Sequence, residues 1–338
     1  NIPFQGGTEE LRYEAKLTIT PFQNHTFTGS YINIDNEQSG YYFGSIADLA
    51  FLRPGDDAAF EFYRDASGRY ARRRLTLDAE TQSALKLMNM SAWPDLPELY
   101  DPAHGSAILS MAYLALRMPA IGPRLMAEAI RRRKLGDGPA RLGAHLWNVL
   151  KGAPSAALFS IRFLAARYGS SVRLPGFFVR NAARRYAFHF HAEHAPDPAS
   201  RVTLSEARDA LGMPRARIDL RFGDADARSI LATHDAMDAR LRAAGIARIE
   251  HRLPEAERAA AILALASDGF HQVGTARMAA DPKRGVVDAD ARVHGSANLF
   301  LAGSAVFPSS GQANPTYLAV ALAARLAAHL KRVFPELP

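Results

Sequence analysis

The periodicity of apolar residues changes along this chain, and the order of the changes restricts the fold more than any other feature. Over residues 1–77 apolar and polar residues alternate in short runs, most clearly from Glu14 to Phe22, as in half-buried strands. From Ser106 to Arg167 the spacing becomes helical, and from Asn181 to Glu193 it returns to alternation. The sequence therefore predicts an α+β fold, in which helices flank an antiparallel-sheet domain.

Capping residues and breakers set the expected bounds of the remaining elements. The predicted helices are Ala79–Met88 with Asp78 as its cap, Pro123–Leu135, Arg141–Leu150, Ser155–Tyr168, Asp224–Ala244 stopped by Gly245, and Glu255–Ser267. The further predicted strands are Ala58–Arg64, Arg248–Leu253, and Arg201–Leu204 paired with Arg217–Phe222. We expect short turns between the strands, as in an antiparallel sheet.

Composition excludes several classes of site. The 338 residues contain no Cys, which excludes disulfides, thiolate metal sites and Cys nucleophiles. No apolar run reaches the length that a membrane span needs, and no signal peptide is visible after Asn1. We therefore expect a cytoplasmic protein.

Positive charge is concentrated between Arg117 and Arg185. This segment holds fourteen Lys or Arg residues against two acids, whereas the whole chain has a net charge of +7. Such a segment could meet an anionic partner such as a phospholipid surface, or it could be an Arg-rich solvated helical face. We favour the solvated face over peripheral membrane contact. No nucleic-acid partner is expected, because the segment lacks a recognisable binding module.

Four short motifs follow one another in the last seventy residues, and the last one opens a long apolar helix that is predicted to run from Pro315 to about Arg332. The motifs are Phe270-His271-Gln272-Val273-Gly274-Thr275-Ala276-Arg277-Met278, Gly285-Val286-Val287-Asp288, Asn298-Leu299-Phe300-Leu301-Ala302-Gly303-Ser304, and Gly311-Gln312-Ala313-Asn314-Pro315-Thr316. In this order and at this spacing they resemble the C-terminal part of the glucose–methanol–choline (GMC) family of FAD-dependent alcohol oxidoreductases.

The resemblance implies a reaction and two catalytic residues. GMC enzymes oxidise a CH–OH group by hydride transfer to flavin N5, and the His of their HxxGT motif is the general base. His271 is accordingly expected to take the hydroxyl proton, since an imidazole titrates near working pH. Asn314 is expected to hydrogen-bond the substrate oxygen, which an amide can do without competing as an acid.

The resemblance also implies where FAD is held. The family uses backbone near Gly303 and Ser304 and near Pro315 and Thr316, and Gly274 and Thr275 should line the same wall. Asn314 followed by Pro315 is typical of a helix N-cap and first helical position, and the first N–H groups of such a helix have no intrahelical partner and can stabilise negative charge. The apolar stripe of this helix is predicted to be buried. Gly303 departs from the family, which often has Asp there.

The fingerprint of the adenine half of the cofactor site is missing. Complete members begin with a strand, a GxGxxG turn and a helix. The nearest match here, residues 136–143, has the wrong spacing and follows a basic helix, so we predict a loop. The chain is expected to be incomplete for FAD binding on its own, with a missing N-terminal FAD-binding part as a partner. Residues 1–265 would form the substrate-binding domain, with a basic helical insert at about 115–185. Residues 266–338 would return to complete the flavin site of a Rossmann-like domain.

Other interpretations remain open. The chain could be a non-catalytic relic of the family, or an interaction module that uses its basic segment on an anionic surface. His189, His191 and Glu193 alternate on one strand and could bind a metal, but we prefer a wall of the substrate cavity and expect no metal site. The partner would be a small-molecule alcohol, and the sequence does not distinguish a dehydrogenase from an oxidase.

Overall fold

The computed structural model describes residues 12–22, 25–34, 40–126, 128–268, 273–309 and 315–335. Contacts between residues divide the chain into two units. The motif unit comprises Asn1–Tyr42, Glu193–Gly223 and Ala266–Pro338, and the sheet unit comprises Phe43–Ala192 and Asp224–Leu265. The predicted boundary between a substrate-binding domain, residues 1–265, and a flavin-site segment, residues 266–338, stays a prediction.

Strands and helices both occur in the described ranges, and every registered strand pair there is antiparallel. The strands are β1 (Arg12–Phe22), β2 (His25–Ile34), β3 (Gly40–Gly44), β4 (Ala47–Phe51), β5 (Tyr63–Arg64), β6 (Tyr70–Ala71), β7 (Met90–Asp95), β8 (Arg185–Ala192), β9 (Arg201–Arg208), β10 (Pro214–Asp219), β11 (Ala247–His251) and β12 (Ala266–Asp268). The mixed helix and antiparallel-sheet class is therefore confirmed.

Nine α-helices lie in the described ranges, and side-chain caps start the first two of them. They are α1 (Ala79–Ala84), α2 (Ala107–Arg117), α3 (Gly122–Leu125), α4 (Glu128–Leu135), α5 (Leu142–Lys151), α6 (Ala153–Tyr168), α7 (Asp224–Ala243), α8 (Glu255–Ala264) and α9 (Thr316–Val333). The Asp78 side chain accepts a hydrogen bond from the Thr81 N–H at the start of α1, and Ser106 accepts one from Leu109 at the start of α2. Both are N-caps that satisfy orphan donors of the first turn.

β8 is the central strand of the sheet unit. β4 pairs with residues 185–187 along one edge of β8. β7 pairs along the other edge of β8 in a continuous register from Met90↔Ala192 to Asp95↔Ala187. β11 continues the sheet beyond β4. Tyr186, Phe188 and Phe190 of β8 are fully buried. One stripe of α7 packs beside this strand, where the ring of His234 lies 5.1 Å from that of Phe188. These apolar contacts form the core of the sheet.

A second core lies among the helices of the sheet unit. It is formed by Leu99 and by three residues of α2 at helical spacing, Leu109, Tyr113 and Leu116.

The motif unit contains two hairpins and one further strand pair. β1 pairs with β2, and residues 40–42 of β3 pair with β12. β9 and β10 pair from Arg201↔Asp219 to Leu204↔Ala216, which confirms the predicted pairing, although β10 ends at Asp219 and not at Phe222.

Three predicted elements differ in the structure. The first three residues of the predicted strand Ala58–Arg64 belong to a 3-10 helix, Asp56–Phe60, because Asp57 is buried and bonds Tyr186, and only Tyr63–Arg64 form a strand. The predicted helix Pro123–Leu135 divides into α3 and α4, with the chain extended at Met126. There Arg131 of α4 turns back to donate to the Leu116 carbonyl. The end of the predicted helix Glu255–Ser267 is β12, because backbone pairing with β3 replaces the last helical bonds.

Within the part of the chain that the structure describes, no single helix is both long and apolar enough to cross a bilayer. α5 and α6 reach the required length and composition only when taken together, and they are bent by 87° at their junction.

Candidate functional site

Three backbone hydrogen bonds hold the first and third motifs side by side. The N–H groups of Gly274, Ala276 and Met278 donate to the carbonyls of Ser304, Ala305 and Val306 at 3.2, 2.9 and 2.9 Å. Residues 304–306 form a short 3-10 helix. The structure therefore brings Gly274 and Ser304, two of the predicted flavin-binding residues, into direct contact.

Two of the predicted cofactor-binding residues have conformations that only glycine adopts easily. Gly303 has φ 102° and ψ −173°, and Gly274 has φ 77°. A Cβ on Gly274 would also lie 3.2 Å from the Phe307 carbonyl, whereas a Cβ on Gly303 would meet no atom within 4 Å. The backbone at Gly303 therefore faces open space and can be approached closely by another group.

A small apolar core supports these motifs. Val287, Val306 and Phe307 are buried, and Met278, Ala319 and Leu322 are among the side chains that pack against them. Because Ala319 and Leu322 belong to the first two turns of α9, this core joins the first and second motifs to that helix. Val287 also bridges to Met278, which extends the contact between the first two motifs.

α9 begins where the sequence predicts it, but its apolar stripe is only partly covered. The first helical bond runs from the Ala319 N–H to the Pro315 carbonyl at 2.8 Å, so the N–H groups of Thr316 and Tyr317 precede the intrahelical ladder. Leu326 is buried, whereas Leu318 is exposed. The prediction of a buried stripe along the whole helix is therefore wrong, because the small core of the motif unit covers only one narrow side.

The two predicted catalytic residues, His271 and Asn314, lie outside the described residues. Val273, two residues after His271, packs on the core just named, and Pro315, directly after Asn314, is the N-cap of α9. Thr275 has an exposed side chain beside Gly274. The roles of all eight predicted site residues, including Thr316, remain proposals.

The second motif forms a tight turn and carries no exposed reactive group. The Asp288 carboxylate accepts hydrogen bonds from the N–H groups of Asp290 and Arg292 at 2.9 and 3.0 Å and from the Arg292 guanidinium at 3.2 Å. Burial would raise the pKa of Asp288, but these hydrogen bonds outweigh it and lower the pKa below its ordinary value. Asp288 therefore shapes the loop that supports the C-terminal half of α9, where Arg325 donates to the Ala289 carbonyl.

A cluster of imidazole and indole rings lies on β7 and β8 in the sheet unit. The Trp93 ring lies 4.8 Å from that of His189 and 4.7 Å from that of His191, and the Arg74 guanidinium lies 4.3 Å above the Trp93 ring. Asp95 lies 3.8 Å from the Nδ1 of His189. Burial lowers the pKa of Arg74.

This cluster only partly matches the predicted cavity wall. His189 is buried, and β8 ends at Ala192, so Glu193 is not on the strand face as predicted. The sequence analysis missed Arg74 and Asp95, because their contacts depend on the pairing of β7 with β8. The run Arg72-Arg73-Arg74 was the available signal. Among the described residues, no group of three His, Asp or Glu side chains could hold a metal ion.

A family model, curated proteins and solved structures each match part of the chain. Residues 196–323 match the family model described as GMC oxidoreductase. The chain is 32% identical over 136 residues to a paromamine 6'-oxidase of Streptomyces fradiae, which covers 40% of this chain and 23% of that protein. It is 33% identical over 143 residues to a 6'''-hydroxyparomomycin C oxidase of Streptomyces lividus, covering 41% of this chain and 24% of that protein. The matches thus span about a quarter of the length of these relatives.

Solved structures of related oxidases are also similar to parts of the chain. A pyridoxine 4-oxidase from Mesorbium loti is 26% identical with a TM-score of 0.30, and the match covers 46% of this chain and 31% of the oxidase chain. A formate oxidase is 16% identical with a TM-score of 0.36, and the match covers 90% of this chain and 48% of the oxidase chain. TM-scores of this size carry no argument about the arrangement of the two units.

Proposed function

We propose that this chain, a flavoprotein oxidoreductase of the GMC family by its residues 196–323, contributes the substrate side of an FAD-dependent alcohol oxidation. The observation that carries the proposal is the backbone ladder from Gly274, Ala276 and Met278 to residues 304–306. It joins two motifs that the family resemblance assigns to one site. The core beneath the ladder also holds the first turns of α9, which carries the third assigned group.

The residues fit a flavin in three respects that concern backbone. The positive φ at Gly303 leaves an open approach, since an added Cβ would meet nothing within 4 Å. The first N–H groups of α9, at Thr316 and Tyr317, are free of intrahelical bonds and carry the positive end of the helix dipole. Gly274 and Ser304 are joined by their backbones. Gly274, Thr275, Gly303, Ser304, Pro315 and Thr316 would hold the ring system, which when bound would accept the hydride.

His271 and Asn314 would act on the alcohol. His271 would remove the hydroxyl proton as hydride leaves the carbon, because a neutral imidazole is an acceptor near neutral pH. Asn314 would donate from its amide to the alcohol oxygen and so orient the C–H bond. The support for this pair comes from residues close to them in the sequence: Val273, two residues after His271, packs on the same core as the first turns of α9, and Pro315, directly after Asn314, precedes that helix.

A further part of the protein is proposed to complete the cofactor site. α9 leaves Tyr317, Leu318 and Val320 exposed, and Tyr317 has 82% of its surface accessible. Exposed apolar patches of this kind mark interfaces. We infer that an FAD-binding part with a GxGxxG turn, which the described chain lacks, covers this side of α9 and binds the adenine half. The substrate is a small-molecule alcohol, and both dehydrogenase and oxidase activity are compatible with the site.

The test uses the complete protein that contains this chain. FAD content is measured by visible absorbance, and flavin reduction is followed anaerobically after mixing with paromamine or with simple primary alcohols. His271→Ala should bind FAD normally and reduce it about 10²- to 10⁴-fold more slowly, the usual contribution of a general base. His329→Gln is the matched control, because His329 lies 3.6 Å from Asp290 on the far half of α9. Normal reduction by His271→Ala would remove this residue from the mechanism.

A further inference from the structure

The solvent-facing side of α5 is apolar. Leu142, Leu146, Trp147 and Leu150 recur at spacings of four, one and three residues, so they lie on one face of the helix. All four are exposed, and Leu150 has 69% of its surface accessible. This pattern is the reverse of an ordinary surface helix, which turns its apolar stripe toward the core.

The opposite side of α5 is polar and is fixed by hydrogen bonds. The Nδ1 of buried His145 lies 3.1 Å from the Ser110 hydroxyl and its Nε2 lies 3.3 Å from the Tyr100 carbonyl. Asn148 donates to the Pro102 carbonyl at 2.8 Å. The His145 ring also stacks on Tyr113 at 4.1 Å. Rotation of α5 to bury its leucines would break these bonds and expose His145, so the exposed apolar face is a fixed part of the fold.

α6, which follows after the bend, has exposed apolar side chains of its own. Leu158, Ile161, Leu164 and Tyr168 are exposed, and Ile161 has 68% of its surface accessible. The axis turns by 87° between the two helices. We call the exposed apolar side chains of α5 and α6 the α5–α6 face. It contains eight large apolar side chains, far more than the single exposed hydrophobic residues that are normal on soluble surfaces.

The charged residues of α5 and α6 and of the segment that follows them have one sign, although Arg141, just before α5, lies 3.7 Å from the Asp101 carboxylate. The sequence from Gly138 to Ala192 contains eight Lys or Arg residues and neither Asp nor Glu. Arg141, Lys151 and Arg162 are exposed on the two helices or at their ends. The Lys151 ammonium lies 5.0 Å from the centre of the Trp147 ring, which places a cation beside an exposed indole. Trp and Tyr flanked by cations are typical of the headgroup level of a membrane.

We propose that the α5–α6 face docks the protein on the surface of an anionic phospholipid membrane, with the apolar side chains among the headgroups and the cations against lipid phosphates. Helices that lie in the interface combine an apolar face with cations in this way, and anionic lipid strengthens their binding. Residues 138–192, which include both helices, supply cations and no carboxylate, so charge complementarity favours an anionic membrane over a protein partner of mixed charge. The inference does not depend on the proposed oxidation.

The test measures sedimentation of the complete protein with vesicles. Phosphatidylserine mixed with phosphatidylcholine is compared with phosphatidylcholine alone, at low and high salt. The wild-type protein should bind the anionic vesicles, and salt should weaken the binding. Leu150→Gln with Ile161→Gln should lower the bound fraction at least tenfold. Leu204→Gln with Leu211→Gln is the matched control, since both leucines are more exposed than Leu150 but belong to the β9–β10 hairpin.

A spectroscopic readout distinguishes other occupants of this face. The chain has two tryptophans, of which Trp93 is buried and Trp147 is 57% exposed. Anionic vesicles should therefore shift the emission of Trp147 to shorter wavelength, and Trp147→Phe should remove the shift. The proposal is overturned if the wild-type protein does not sediment with anionic vesicles at low salt. It is also overturned if the two leucine pairs have equal effects, or if Trp147 is already shielded by a second copy or by another part of the protein.

Discussion

Gly274 donates its backbone N–H to the carbonyl of Ser304 at 3.2 Å, and this bond starts the ladder that joins the first and third motifs. Gly274 can do so because its φ of 77° turns the chain at this point. Gly303, the residue before the acceptor, has φ 102° and ψ −173°, a region that is essentially restricted to glycine. Two glycines therefore set the path of the backbone on either side of one hydrogen bond.

Substitution of Gly303 should be costly without any steric clash. Gly303→Ala is expected to lower the free energy of unfolding by about 1–3 kcal/mol through backbone strain alone, because its Cβ would face open space. Gly143→Ala is the matched control, since Gly143 lies inside α5 with equally open surroundings. It should be neutral or stabilising by about 0.5–1 kcal/mol. Chemical denaturation measures both, and equal effects would contradict the assigned conformation of Gly303.

Substitutions of Asn314 should separate orientation from packing. The family resemblance allows either His or Asn at this position, so Asn314→His should retain flavin reduction within about tenfold, because an imidazole can also donate to the alcohol oxygen. Asn314→Leu cannot, and should slow reduction by about 10² or more through lost orientation. Anaerobic flavin reduction with FAD content measured in parallel is the readout. Equal rates for the two variants would argue against a hydrogen bond from this residue.

His234 should make the protein sensitive to acid. Its ring is fully buried against Phe188 and Phe190, and neither of its nitrogens has a hydrogen-bond partner within the described residues. Burial, aided by neighbouring His251, lowers the pKa of His234 to about 3. In the unfolded chain His234 binds a proton near its ordinary pKa of about 6.5. Its contribution to the free energy of unfolding is therefore fully present above that pH and is lost as the pH falls from about 6.5 to about 3.

One such group changes the free energy of unfolding by at most about 1.4 kcal/mol per pH unit. Between about pH 7.5 and pH 5, the free energy of unfolding of His234→Leu should therefore fall by about 2 kcal/mol less than that of the wild-type protein. Urea denaturation at the two pH values measures this difference. An unchanged pH dependence of the free energy of unfolding in His234→Leu would show that the imidazole of His234 titrates normally in the folded protein.

The Tyr186 hydroxyl should be needed to keep Asp57 in the core. Tyr186 donates to the Asp57 carboxylate at 2.5 Å and accepts from the Asn181 N–H at 2.9 Å, and both side chains are buried. Burial and this bond to Asp57 raise the pKa of Tyr186 well above its ordinary value. Tyr186→Phe leaves the carboxylate without its donor and should cost about 1.5–3 kcal/mol of stability, the usual value for a hydrogen bond to a charged group. The double variant Tyr186→Phe with Asp57→Asn should recover part of the loss.

The sequence predicted the elements whose ends depend on neighbouring residues. Asp78 caps α1 as expected, because a capping side chain bonds the backbone of its own helix. The pairing of β9 with β10 was predicted for a similar reason, since both strands belong to one hairpin, whereas their register was not predicted. The four C-terminal motifs lie within residues 196–323, the part of the chain that matches the GMC oxidoreductase family model.

The rest depended on contacts between distant parts of the chain. The run from Ala58 looked like a strand, but burial of Asp57 against Tyr186 makes a 3-10 helix there. Nothing local in Leu142–Lys151 reveals that His145 faces inward, because its partners Ser110 and Tyr100 come from other elements. The contact of Arg74 with Trp93 likewise follows from sheet pairing. Tertiary context decided each of these, which periodicity cannot anticipate.

The ladder between residues 274–278 and 304–306 consists of main-chain bonds alone. Its geometry therefore does not depend on which side chains Thr275, Ala276 or Ala305 carry, provided that Gly274 and Gly303 stay. Under the proposed function, those side chains can change to accommodate different alcohols while the backbone frame stays the same. Related sequences should accordingly vary more at these three positions than at the two glycines.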